Sequence, residues 1–127
     1  MRAMVIDDSR AIRFMLSNML KEFGFETLEA AHGREALDKL RNLGKLDLAL
    51  VDWNMPEMNG LEFIKAVRAE PGFRDTWLMM VTTETEMSQM VRALAAGANE
   101  YVMKPFTRDV IQDKLRIMGL MESQEQQ

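Results

Sequence analysis

The stretch that decides the fold is Leu48-Ala49-Leu50-Val51-Asp52, a short apolar run that ends in an aspartate. Three more apolar runs lead into polar residues in the same way: Met4-Val5-Ile6-Asp7-Asp8, Leu78-Met79-Met80-Val81-Thr82 and Tyr101-Val102-Met103-Lys104-Pro105. Short apolar runs separated by helical patterns are typical of buried parallel strands. The carboxyl ends of such strands lie along one edge of an open sheet, where ligands bind. We therefore expect three carboxylates, one hydroxyl and one ammonium to share a pocket.

Amphipathic stretches alternate with these runs and predict five crossover helices. The first follows Ser9 and stops at Gly24, the second spans about 33–43, the third opens at Asn59-Gly60, the fourth ends at Gly97 and the fifth follows Thr107. Residues 26–30 are the least distinct strand, and His32 is expected in solvent near the second helix. Right-handed crossovers and helices on both faces give an α/β fold, a doubly wound sheet of about five parallel strands.

Length and composition narrow the class of protein. A chain of 127 residues suits one domain, so we expect a single domain over 1–121 and a polar tail over 122–127. The hydrophobic fraction of 47% is ordinary for a soluble protein, and no apolar run approaches a membrane span. No export signal is visible and cysteine is absent, which favours the cytoplasm. A net charge of −4 without a basic cluster argues against nucleic-acid binding.

Clustered carboxylates need a cation. Two negative charges about 4 Å apart repel by about 4 kcal/mol at an effective dielectric constant near 20. Mg²⁺ suits a site of two or three carboxylates plus water, so one of Asp7 and Asp8 would bind it directly and the other through water. Asp52, beside both the metal and Lys104, could attack phosphorus while the two cations neutralise charge. Taken alone, the pair Asp7-Asp8 could instead cap the first helix.

Four motifs resemble one known family. They are Val5-Ile6-Asp7-Asp8-Ser9, the segment from Val51 to Gly60, Met80-Val81-Thr82-Thr83-Glu84 and the segment from Tyr101 to Phe106. In this order and at this spacing, the chain resembles a response-regulator receiver domain of two-component signalling, in particular a chemotaxis CheY-like one. The resemblance covers essentially the whole chain. It implies a flavodoxin-like sheet with the strand order 2-1-3-4-5.

The resemblance also implies a role for each polar residue of the pocket. Asp52 would accept a phosphoryl group from the phosphohistidine of a histidine kinase or phosphotransfer domain. Asp8, Asp52 and the backbone carbonyl of Asn54 would bind Mg²⁺, with Asp7 acting through water. Lys104 would pair with the phosphoryl oxygens. The protein would then be a phosphoacceptor for signalling rather than an enzyme, with phosphorylation from small donors and self-dephosphorylation.

Signal output is implied to depend on Thr82 and Tyr101. The Thr82 hydroxyl would bond to the phosphoryl group and draw the following loop inward, which frees room for Tyr101 to turn in. The surface of helix four, strand five and helix five would then bind a downstream protein, with the stand-alone domain acting as a monomer. Met87, Met90 and Met103 fall on this surface, and soft side chains suit adaptable contacts.

Three alternatives compete with this function. A phosphorelay shuttle or phosphate sink would return its phosphoryl group to a phosphohistidine domain. A phosphatase of the haloacid dehalogenase type also uses a metal-bound aspartate, but such enzymes usually carry a second acid two residues later, where this chain has Asn54. A flavin site is the weakest alternative, because an acidic edge repels a phosphate unless a metal intervenes.

Overall fold

The computed structural model describes residues 1–121, and the predicted polar tail 122–127 lies outside the described residues. Strands and helices alternate along the described chain. The strands are β1 (Arg2–Ile6), β2 (Glu26–Ala30), β3 (Leu48–Val51), β4 (Trp77–Thr82) and β5 (Glu100–Met103). The helices are α1 (Arg10–Glu22), α2 (Gly33–Leu43), α3 (Gly60–Ala69), α4 (Met87–Ala96) and α5 (Arg108–Ile117), with a 3₁₀ turn at Pro71–Phe73. In these residues no helix is both long and apolar enough to cross a membrane.

The five strands form one sheet in the order β2-β1-β3-β4-β5, and every neighbouring pair is parallel. The predicted doubly wound α/β fold and its strand order 2-1-3-4-5 are therefore confirmed. The register pairs Ile6 with Val51, and Val51 with Met80. Because β1 and β3 end level with one another, the polar residues that follow them emerge side by side.

Each face of the sheet carries its own hydrophobic core. Met4 and Ile6 point into the core under α2, α3 and α4, while Ala3 and Val5 point into the core under α1 and α5. The alternation follows from the two-residue period of a strand. Among the largest fully buried side chains is Phe63 of α3. Burial of a side chain of this size stabilises the fold by roughly 1.5–3 kcal/mol.

Local residue chemistry sets where the helices start. Ser9 caps α1, and Asn59 caps α3 in a reciprocal capping box with Glu62. His32 was expected in solvent, but it is half-buried and its Nδ1 accepts the Glu35 N–H at 3.2 Å. The only histidine of the chain is thus the N-cap of α2.

Helix α4 is the least embedded helix of the described chain, with Ala93 as its one buried residue. Met87 is 73% exposed, Val91 56% and Leu94 47%, and Met103 of the adjacent β5 is 47% exposed. These four side chains form an apolar surface, named here the α4–β5 surface. It lies where the sequence placed the output face, except that Met90 is half-buried and packs against the core instead.

Candidate functional site

Three carboxylates meet at the carboxyl edge of the sheet. Asp7 and Asp8 follow β1, Asp52 follows β3, and one carboxylate oxygen of each lies within 4.8 Å of the others. The in-register pairing of β1 with β3 puts the residues after these strands next to each other. Asp7 and Asp52 are buried, whereas Asp8 is exposed. The structure therefore brings together the three acids that the sequence predicted as one cluster.

Lys104 reaches this cluster from the end of β5. Its Nζ lies 2.7 Å from Asp7 Oδ2 and 3.6 Å from Asp52 Oδ2. The lysine side chain is only 14% exposed, so its charge is poorly hydrated and acts at close range. Its backbone N–H donates to the Thr82 carbonyl at 2.8 Å, which fixes where the side chain starts. The ammonium partly neutralises the acidic cluster.

The surroundings of Asp52 oppose its ionisation. Burial raises the pKa of this carboxyl above its ordinary value, and the Asp7 carboxylate raises the pKa further. The Thr82 hydroxyl, the Lys104 ammonium and the Trp53 N–H favour the ionised form and limit the rise in pKa. The backbone N–H of Trp53 donates to Asp52 Oδ1 at 2.8 Å. Ionised Asp52 is thus held in place at some cost in stability.

We expect Asp52→Asn to raise the free energy of unfolding by roughly 1 kcal/mol at neutral pH in the presence of EDTA. Because the folded-state pKa of Asp52 lies above the unfolded value, the cost of its ionisation is absent below the unfolded pKa and grows as pH rises. The stability difference should therefore shrink towards about pH 4. Urea denaturation at both pH values measures it, with the exposed Asp38→Asn as control. A variant less stable than wild type at neutral pH would contradict this prediction.

Thr82, Glu84 and Tyr101 form the wall of the site beside Asp52. Thr82 is fully buried, and its hydroxyl accepts the Glu84 N–H at 3.4 Å. The Tyr101 hydroxyl donates to the Glu84 carbonyl at 2.9 Å, while Asn54 Nδ2 donates to Glu84 Oε2 at 3.4 Å. Three of the predicted site residues, Thr82, Asn54 and Tyr101, are therefore joined through Glu84 in the loop after β4.

Tyr101 is already turned inward. Its residue exposure is 9%, and burial, with the Glu84 and Asp52 charges, raises the pKa of its phenol. The sequence-based expectation placed the inward turn after phosphorylation. In the structure the hydrogen bond to the Glu84 carbonyl holds the ring inward.

The donor set suits a hard divalent cation. The clustered atoms are carboxylate oxygens, and two or three carboxylates completed by water match the coordination that Mg²⁺ prefers. The exposure of Asp8 leaves the cluster open to water and to an incoming ligand on that side. Asp7, Asp8 and Asp52 therefore fit a magnesium ion.

Two basic residues lie near the site that the sequence did not predict there. Arg13 of α1 donates through Nη1 to the Asp7 carbonyl at 2.7 Å. Arg92 of α4 places its guanidinium carbon 5.8 Å from the ring centroid of Trp53, the residue after Asp52. Both contacts join distant elements, and neither belongs to a motif. The one available signal was the position of Arg13 in the first turn of α1, six residues after Asp7.

Comparison with known proteins agrees with this geometry. Residues 3–116 match the sequence model of the response regulator receiver domain. A chemotaxis protein CheY homolog of Campylobacter jejuni is 46% identical over 116 residues, which cover 91% of this chain and 89% of that protein. Chemotaxis protein CheY1 of Helicobacter pylori is 43% identical over 119 residues, 93% of this chain and 96% of that one.

Solved structures show the same likeness. The crystal structure of chemotaxis protein CheY4 of Vibrio cholerae has a TM-score of 0.85 and 38% identity, and the alignment covers 91% of this chain and 96% of that chain. The likeness to these relatives, in sequence and in fold, thus covers most of the length of this chain. The chain belongs to the response regulator receiver domains of two-component signalling, and its relatives include the CheY proteins of chemotaxis.

Proposed function

We propose that this chain is a stand-alone response regulator, with residues 1–121 as one receiver domain, that accepts a phosphoryl group on Asp52. The observation that carries the proposal is the cluster of Asp7, Asp8 and Asp52 with Lys104 against it. The donor would be the phosphohistidine of a histidine kinase or a phosphotransfer domain. The exchange would take place in the cytoplasm.

The site residues divide the work of phosphoryl transfer. An Asp52 carboxylate oxygen forms the new bond to phosphorus as the bond from phosphorus to the donor imidazole breaks, and the imidazole leaves. The Trp53 N–H holds Oδ1, so Oδ2, the oxygen nearer Lys104, is the better-placed nucleophile. Lys104 would pair with the phosphoryl oxygens. Positioning and charge stabilisation of this kind supply most of the catalysis in phosphoryl transfer.

Magnesium would be held by Asp8, Asp52 and the backbone carbonyl of Asn54, with Asp7 acting through water. When bound, Mg²⁺ supplies positive charge next to the transferring group. Exposed Asp8 offers its carboxylate from the open side, and buried Asp7 stays against Lys104. This division of roles suits an ion that keeps part of its water shell.

The site favours a signalling phosphoacceptor over a phosphatase. Turnover of external phosphoesters needs a general acid for the leaving group. Two residues after Asp52 stands Asn54, whose amide bonds to Glu84 and which has no acidic proton. We therefore propose self-dephosphorylation rather than turnover of external substrates.

Output would pass through Thr82 and Tyr101 to the α4–β5 surface and α5. A phosphoryl group on Asp52 would accept a hydrogen bond from the Thr82 hydroxyl. Because Tyr101 is already inward, phosphorylation would stabilise this arrangement rather than create it. The exposed apolar side chains would then contact a downstream protein of chemotaxis or a related pathway, with this chain as a monomer.

The test is the intact mass of the protein after incubation with Mg²⁺ and a small acyl phosphate. We expect a one-phosphoryl adduct in the wild type and in Asp38→Asn, which changes an exposed aspartate of α2. Asp52→Asn and the wild type in EDTA should give none. Absence of the wild-type adduct, or an equal adduct on Asp52→Asn, would refute the proposal.

A further inference from the structure

Arg13 joins the metal-site loop to the edge strand β2. Its Nη1 donates to the Asp7 carbonyl at 2.7 Å, and its Nε donates to Glu29 Oε1 at 3.2 Å. The arginine side chain is 16% exposed. Glu29 is itself held by the Ser17 hydroxyl, which donates to Oε2 at 3.2 Å and belongs to a buried residue. The guanidinium is therefore fixed at both ends.

Of the two groups that Arg13 contacts, the Asp7 carbonyl is the one that belongs to the backbone of the site. It belongs to the peptide unit that connects Asp7 to Asp8, so its position sets the direction in which both carboxylates leave the backbone. The Asp7 side chain makes its own contacts, to the Ser9 N–H at 2.8 Å and to Lys104. The Asp7 backbone N–H donates to the Ala30 carbonyl of β2 at 3.1 Å, and the Arg13 contact holds the next peptide, the one between the two acids. A planar, two-pronged donor suits this bridging position better than an ammonium does.

We propose that Arg13 is a positioning residue for divalent-cation binding and sets the Mg²⁺ affinity by fixing the peptide between Asp7 and Asp8. This inference rests on the proposed magnesium site. Groups that orient metal ligands typically alter metal affinity by 10- to 100-fold when they are lost.

The electrostatic effect of Arg13 has the opposite sign, which makes the proposal testable. A guanidinium next to an acidic cluster repels an incoming dication, so removal of its charge alone would strengthen Mg²⁺ binding. Removal of its hydrogen bond to the Asp7 carbonyl would weaken binding instead. Weaker binding in an Arg13 variant therefore reports positioning and not charge.

The experiment is calorimetric titration of the full chain with MgCl₂ in the absence of any phosphoryl donor. We expect Mg²⁺ to bind about tenfold more weakly to Arg13→Met and to Arg13→Lys. The lysine variant keeps the positive charge but loses the planar guanidinium that donates to two acceptors at once. The matched control is Arg10→Met, at an exposed position at the start of the same helix. It should bind Mg²⁺ as tightly as the wild type or more tightly.

The outcomes separate this inference from the proposed function. If the wild type binds no Mg²⁺, the proposed magnesium site fails. If the wild type binds Mg²⁺ and Arg13→Lys binds it equally well, the site stands and the positioning role of Arg13 is refuted. Circular dichroism checks that each variant is folded, and should Arg13→Met unfold, Arg13→Lys alone decides.

Discussion

Lys104→Met is expected to lower the free energy of unfolding by about 3 kcal/mol in the absence of divalent cations. In the wild type the ammonium lies 2.7 Å from Asp7 and 3.6 Å from Asp52. The two carboxylate side chains are 3% and 9% exposed, so little water can replace the lost partner. Methionine would leave two buried negative charges facing each other across an apolar side chain. Urea denaturation at neutral pH with EDTA measures the loss.

The matched control is Lys114→Met, the same substitution at an ion pair with a single carboxylate. Lys114 Nζ lies 2.8 Å from Glu100, and their side chains are 31% and 22% exposed. Because this pair is better hydrated, we expect a loss of about 1 kcal/mol. Equal losses in the two variants would contradict the special role of Lys104.

Two further measurements test whether unpaired negative charge causes the loss of stability in Lys104→Met. The double variant Lys104→Met with Asp7→Asn should recover part of the lost stability, because one of the unpaired charges is gone. Mg²⁺ should also narrow the gap to wild type, because a dication among the same carboxylates replaces the missing ammonium. If Mg²⁺ stabilises neither protein, the acidic cluster does not bind the ion.

The convergence of the site was predictable because a parallel sheet collects the residues after its strands at one edge. The apolar runs before Asp7, Asp52 and Thr82 carry this information in the sequence. Strand β2 was the least distinct because it is an edge strand, and only Ala30 of its five residues is buried. Apolar periodicity does not specify which strands are neighbours. The order 2-1-3-4-5 was therefore predicted from the family resemblance.

Contacts between distant elements could not be predicted from periodicity. The contacts of Arg13 with Asp7 and of Arg92 with Trp53 depend on where a long side chain ends, and a pattern of apolar positions does not encode that. The capping role of His32 left a local signal, since Glu35 follows it by three residues. That signal is weak because histidine is not a favoured N-cap residue.

Gly60→Ala is expected to lower the free energy of unfolding by about 3 kcal/mol. Gly60 opens α3, where the helix passes directly against the chain after β3. Its N–H donates to the Trp53 carbonyl at 2.9 Å. A Cβ at this position would lie 2.2 Å from the Asp52 carbonyl oxygen and 2.9 Å from its carbonyl carbon. Both are backbone atoms, so the clash cannot be relieved by rotation of a side chain.

This clash should disturb the geometry of the site as well as the stability of the fold. To admit the methyl group, α3 and the Asp52 backbone must move apart, which displaces the carboxylate from Lys104 and the acidic cluster. We therefore expect Gly60→Ala to lose stability and also to form its phosphoryl adduct more slowly than wild type. The matched control is Gly72→Ala, where an added Cβ meets no atom within 4 Å. That variant should stay within about 0.5 kcal/mol of wild type, and a Gly60→Ala protein as stable as Gly72→Ala would show that the close approach of α3 to Asp52 is not a constraint on the fold.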